Sequence, residues 1–313
     1  MGETVCARRT GRQWRTWATA WELAALTMRY PRDAVLAGAV VAGEWVDAVE
    51  EIAATCGLAL PDGWVDGLPA GGKDERTDAV EIVGADAGDR AAGASLAGET
   101  DGAAGEGADR HAAEASDEAN LCADEDAAAA GAQALGEGGA ALPGAAKARR
   151  QQAVSAMRRE LRVEATRLFV GAPEPLVSPY EGVWRAAQDG VHALLMVNPH
   201  TMDVERFMHA CGLKRPAGTQ EPLDHVATEC ELLEHLALRA AADEPAEGVP
   251  GEGALPGGSA SAAYARFCAE HASTWMADLA AELTRVARHP LYRAAGIYLG
   301  ALVAAEAAPG EGE

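Results

Sequence analysis

Residues Glu221-Pro222-Leu223-Asp224-His225, followed by VATECELLEHL, set two carboxylates and an imidazole around a proline at the mouth of an amphipathic stretch. A carboxylate accepts the paired N–H groups of a guanidinium, and an imidazole exchanges a proton near neutral pH. The cluster could therefore bind a cationic partner or do acid–base work. The spacing predicts a helix from Pro222 to about Ala242, because Val226, Cys230, Leu233 and Ala237 recur at helical intervals on one face. Asp224, Thr228, Glu231 and His235 form a polar stripe beside them. Pro222 suits a first turn, and Asp224 then meets the positive end of the helix dipole. That position also has a plain structural use, since a first-turn acid stabilises a helix start without any partner.

Catalysis is the weaker use of these residues. His225 as a general base would need a nucleophile and an orienting partner, and no G-x-S-x-G element accompanies it. His209, Cys211, His225 and Cys230 fit no zinc-finger or ribbon spacing. No catalytic residue, metal ligand or cofactor is assigned. The six cysteines, at 6, 56, 122, 211, 230 and 268, contain no C-x-x-C pair and read as reduced thiols of a cytoplasmic protein.

The elements that must position this cluster are helical. Trp14, Trp17, Trp21, Ala24 and Met28 mark a first helix over 14–30, and its tryptophan stripe reads as core. A second helix is expected from about Arg32 to Cys56, with Gly57 as its stop. A long helix begins near Ala145 and ends at Gly171. Pro173, Pro175 and Pro179 then force an extended loop, after which Tyr180, Glu181 and Trp184 open a short helix. Asn198-Pro199-His200 reads as a turn before a helix over 204–211 capped by Thr201 or Asp203. The final elements run from Phe267 to Val286 and, after His289-Pro290, through Leu302. No period-two strand pattern appears, so the expected class is an all-α bundle.

Composition divides the chain unevenly. Residues 84–146 hold thirteen Asp and Glu against two Arg, a net −11 of the chain's −22, with no aromatic residue. Such a segment is expected to be disordered, because it cannot bury enough apolar area to offset its chain entropy. The expected organisation is an N-terminal helical part over 1–72, an acidic Ala/Gly-rich insertion over 73–146, a main helical part over 147–302 with a flexible linker at 243–262, and a disordered tail at 303–313. The acidic balance argues against nucleic-acid binding and favours Arg-bearing partners. Arg8-Arg9 is a twin arginine, but no apolar stretch follows as in an export signal, and no run long enough to span a membrane is expected.

Three blocks, EATRLFVGAPEPLVSPYEGVW at 164–184, EPLDHVATECELLEHLA at 221–237 and FCAEHASTWMADLAAELTRVARHPLYRA at 267–294, together resemble the TorD/DmsD family of molybdoenzyme maturation chaperones. The Glu-Pro-x-Asp-His core is the specific part. The resemblance implies a TorD-like helical bundle in the cytoplasm. It also implies a chaperone that binds the twin-arginine signal peptide, the apoprotein, or both, of a molybdopterin oxidoreductase of the dimethyl sulfoxide reductase type. The client's catalytic subunit is held until its cofactor is inserted. On this reading Glu221, Pro222, Asp224 and His225, with Tyr180 and Glu181, form the partner-binding region of a monomer or homodimer. Glu231 adds to its acidic side, and Trp184, Leu232 and Leu236 supply an apolar side. The alternatives are an assembly factor of the nitrate-reductase branch that reads no leader, and a nucleotide-binding switch or weak hydrolase. The latter lacks a G-x-x-x-x-G-K-[ST] loop.

Overall fold

The computed structural model describes residues 9–69, 143–191, 198–214, 222–242 and 255–308. The acidic stretch assigned to the insertion lies outside them, except for residues 143–146, which open a helix. The protein is all-α, and no strand occurs among the described residues. In chain order the helices are α1 (Gly11–Met28), α2 (Val35–Ala42), α3 (Glu44–Cys56), α4 (Pro143–Ala165), α5 (Glu181–Gln188), α6 (Pro199–Ala210), α7 (Val226–Ala241), α8 (Ala260–Phe267), α9 (Ser273–Val286) and α10 (Pro290–Ala307). Single π-helical turns, Thr166–Val170 and Cys268–Ala272, extend α4 and join α8 to α9.

The tryptophan stripe makes α1 the central helix. It lies along α7 and also meets α3 and α10, burying Trp14, Trp17 and Trp21. Buried indoles and phenols need partners for their polar ends, and here they find them across helices. Trp21 Nε1 donates to the Tyr264 hydroxyl at 2.6 Å, Trp45 Nε1 to Thr27 Oγ1 at 2.9 Å, and the Tyr298 hydroxyl to the Ala20 carbonyl at 2.9 Å. α9 and α10 pack as a hairpin against this centre.

Several expected boundaries move. The helix expected over 32–56 is two, because Gly43 takes a left-handed conformation (φ 74°) that closes α2 and opens α3. The helix expected from Pro222 begins instead at Val226, with His225 as its N-cap: Nδ1 accepts from the Ala227 N–H at 3.1 Å. Pro222 and Asp224 thus precede the helix, and Asp224 is no first-turn anion. α6 starts at Pro199, and Asn198 rather than Thr201 or Asp203 caps it, accepting from the His200 N–H at 2.9 Å. The linker expected to reach 262 gives way to a buried Leu255, a 3₁₀ turn and α8. The tail expected from 303 is helical to Ala307, which keeps Val303 in the core.

Candidate functional site

After its π turn, α4 gives way to the proline-rich segment, which cannot stay helical and runs extended to α5. It pairs there with the segment before α7. Tyr180 and His225 form an antiparallel bridge, with Val226 N–H donating to the Pro179 carbonyl at 2.8 Å and Glu181 N–H to the Asp224 carbonyl at 2.9 Å. Their rings meet edge to face at 5.4 Å. Together with Met28 and Tyr30 from α1 and its C-terminal turn, Arg32, Phe169, Val170 and Pro179, they line a cleft of about 190 Å³. Val170 is 60% exposed and Arg32 is exposed, so the cleft opens to solvent between them.

Behind the bridge lies a junction of buried polar groups. Asp224 is 1% exposed, and its Oδ2 accepts from the Gly182 N–H at 2.9 Å and from Thr201 Oγ1 at 2.7 Å. Asn198 Nδ2 donates to the Gly182 carbonyl at 2.6 Å, so one glycine ties α5, α6 and the α7 entry together. Burial pushes the Asp224 carboxyl above its ordinary range, against the pull of those two donors.

Deeper in, Glu229 is fully buried, and Trp275 Nε1 donates to its Oε2 at 3.2 Å. Burial first, and then the charges of Glu181 and Asp224, raise its carboxyl well above the ordinary range. Its Oε1 meets no hydrogen-bond partner among the described residues, so burial favours the neutral carboxyl. Beside it, His271 Nδ1, 3.0 and 3.2 Å from the two Glu181 oxygens, and Arg185 Nη1 at 3.7 Å surround the buried Glu181 carboxyl.

The structure thus separates the residues that sequence reasoning grouped. Tyr180 and His225 line the cleft, and Pro222 is half-buried beside them in the chain. Asp224 and Glu181 are interior residues of the junction. Glu231 pairs with Arg29 on the surface. Trp184 braces the proline-rich loop, its Nε1 donating to the Ser178 carbonyl at 2.7 Å. Leu232 and Leu236 are 1% and 0% exposed, core residues that offer a partner no surface in this arrangement. Glu221 lies outside the described residues. Sequence reasoning missed Gly182, Asn198, Glu229 and His271, and gave Thr201 only a cap. Glu229 carried a signal, since it stands three residues after Val226 and four before Leu233, inside the apolar face.

In chemical terms the cleft offers aromatic and apolar walls with a cation at its lip, an arrangement suited to holding a polypeptide segment. Among the described residues no group of His, Cys, Asp and Glu could hold a metal ion, and no helix is long and apolar enough to cross a membrane.

Comparison with protein families gives a match to the family described as nitrate reductase delta subunit, over residues 124–281. No curated protein and no solved structure matches. The matched span holds the proline-rich loop, the bridge, the Asp224 junction and α7, while Met28, Tyr30 and Arg32 of the cleft lie before it. The chain belongs to the nitrate reductase delta subunit family, a family of molybdoenzyme maturation chaperones.

Proposed function

We propose that this chain is a cytoplasmic chaperone that binds the apoprotein of a nitrate-reductase-type molybdenum subunit and holds it for cofactor insertion. The observation that carries this reading is the open cleft at the Tyr180–His225 bridge, whose walls are aromatic and apolar. Its described lining holds Arg32 and no carboxylate. Asp224 and Glu181 are buried and bonded inside the protein, away from the cleft's surface, and Glu231 already has Arg29. An apolar segment of an apoprotein body therefore fits the cleft better than the two guanidiniums of a twin-arginine leader. The expectation of a dimethyl sulfoxide reductase-type client gives way here to the nitrate-reductase branch, in line with the family matched.

The test is calorimetric titration with the apoprotein of the organism's own molybdenum subunit and, separately, with its leader peptides. Val170→Asp and Arg32→Glu alter exposed residues at the cleft and should leave thermal stability nearly unchanged. Each should weaken apoprotein binding about tenfold or more, the cost of losing one well-placed interface contact. Undiminished binding by both variants would refute the assignment to this cleft. Tight binding of an isolated leader would restore leader recognition.

A further inference from the structure

The polar groups of the Tyr180–His225 cleft restrict what can enter it. Its described lining holds no carboxylate. The Pro179 carbonyl already accepts from the Val226 N–H, and the Tyr30 carbonyl from the Arg32 N–H, each at 2.8 Å. The His225 imidazole accepts at Nδ1 from the Ala227 N–H, so its hydrogen sits on Nε2 and the ring keeps no acceptor for a ligand. A lysine or arginine of a bound segment would lose water here without gaining an anion.

The lip carries the opposite charge. Arg32 is exposed, and its guanidinium has no hydrogen bond or ion pair among the described residues. Its neighbour Asp33 is turned to the start of α2, where its Oδ1 accepts from the Val35 N–H at 2.9 Å. A second guanidinium, that of Arg162, stands 5.8 Å from the centre of the Tyr30 ring, and the Tyr30 hydroxyl bonds with Thr166 Oγ1 at 3.2 Å. The Tyr30 wall is thus held in place with a cation on α4 beside it. The volume of about 190 Å³ has room for one bulky side chain and falls short of the roughly 300 Å³ at which sites for whole small molecules begin.

Resting on the assignment of apoprotein binding to this cleft, we propose that it selects a client segment in which a large apolar side chain stands next to a carboxylate. The apolar group enters between Tyr30, Phe169 and Val170, and the acid pairs with Arg32, which is therefore the specificity-determining residue. A guanidinium takes a carboxylate through two parallel N–H bonds, a geometry that an ammonium does not offer. The net charge of −22 acts the other way, since at long range it attracts basic segments and repels acidic ones. Local and global charge thus demand opposite preferences. With a Debye length of about 8 Å at physiological ionic strength, the contact pair decides.

The experiment uses overlapping peptides of about fifteen residues that cover the apoprotein of the organism's own molybdenum subunit, titrated into the full chain and its Val170→Asp variant. Peptides that lose affinity in the variant occupy the cleft. The tightest of them should carry Asp or Glu beside a large apolar residue. The same peptide with that acid changed to Lys should bind at least about fivefold more weakly. The Arg32→Glu chain should reverse this order and take the Lys version more tightly. A tightest peptide without such an acid, tighter binding of the Lys version by the unaltered chain, or an order that Arg32→Glu leaves unchanged would each overturn the proposal and leave apoprotein binding at the cleft standing. If no peptide responds to Val170→Asp, the proposal falls as well. The intact apoprotein then shows, by losing or keeping its affinity for the same variant, whether the assignment to the cleft survives.

Discussion

Gly182 occupies a point with no room for a side chain. A Cβ there would lie 2.6 Å from Thr201 Oγ1, 2.9 Å from Asp224 Oδ2 and 3.1 Å from Asn198 Nδ2, the atoms that bond the junction together. Gly182→Ala should therefore force α5 away from α6 and the α7 entry. The expected cost is about 1–3 kcal/mol, typical of overpacking in a close-packed interior. Thermal melts should show it, and apoprotein binding should weaken because the Tyr180–His225 bridge rests on the same backbone. An unchanged melting temperature would mean that the junction relaxes freely. The residue scale is also where sequence reading reached least far. Asp224 and His225 were recognisable by type and spacing, yet their uses were exchanged: the histidine caps the helix, while the acid turns inward to an amide, a hydroxyl and a neighbouring carboxyl cluster. Those partners come from 23 and 42 residues away along the chain, and local periodicity carries no trace of them.

Among the elements, periodicity was a good guide to which segments are helices and a poor one to where they end. Apolar spacing located α1, α4, α7, α9 and α10, because each buries one face. Ends depend on single caps, and His225 and His289 cap through Nδ1, a use that residue type alone does not announce. One joint between elements has a pH signature. Glu164, near the end of α4, accepts from the Arg288 and His289 N–H groups at 2.6 and 3.3 Å, and from Arg167 Nε and Nη2 at 2.8 and 2.7 Å. Arg167 Nη2 also donates to the Val286 carbonyl at 2.8 Å, so this pair closes the turn between α9 and α10. Burial pulls the Glu164 carboxyl upward, but the Arg167 and backbone donors outweigh it and hold it at about 2. The folded value lies below the unfolded one of about 4.3, so the stabilisation is full above that pH and fades as pH falls towards about 2. Glu164→Gln should cost about 1–3 kcal/mol at pH 7 by leaving donors poorly met. In melts below about pH 4 the difference from the unaltered chain should shrink. A gap constant from pH 7 to pH 3 would refute the role assigned to the carboxylate.

At the scale of the molecule, the question is what the acidic stretch contributes to the fold. Among the described residues, the apolar core cluster draws on residues 14–58 and 161–303, with partly buried neighbours reaching Leu68 and Val154. Residues 84–140, which hold all thirteen acidic residues counted above, lie outside the described residues. Composition alone sets that stretch apart, because a segment without Phe, Trp or Tyr has little to offer a core. The pairing of α1 with α7 was not legible in the same way: it joins residues some two hundred positions apart, and only packing reveals it. Replacing 84–140 by a Gly/Ser linker of about twenty residues should therefore leave a cooperative melt within a few degrees of the full chain. Changing a flexible loop's length costs only about 0.6 kcal/mol per doubling. The number of helical residues, read by circular dichroism, should also be unchanged. Net charge should fall to about half, so the excised protein should show a weaker dependence of melting temperature on salt, since less self-repulsion remains to be screened. Loss of the cooperative melt would show instead that the acidic stretch supplies contacts on which the bundle depends.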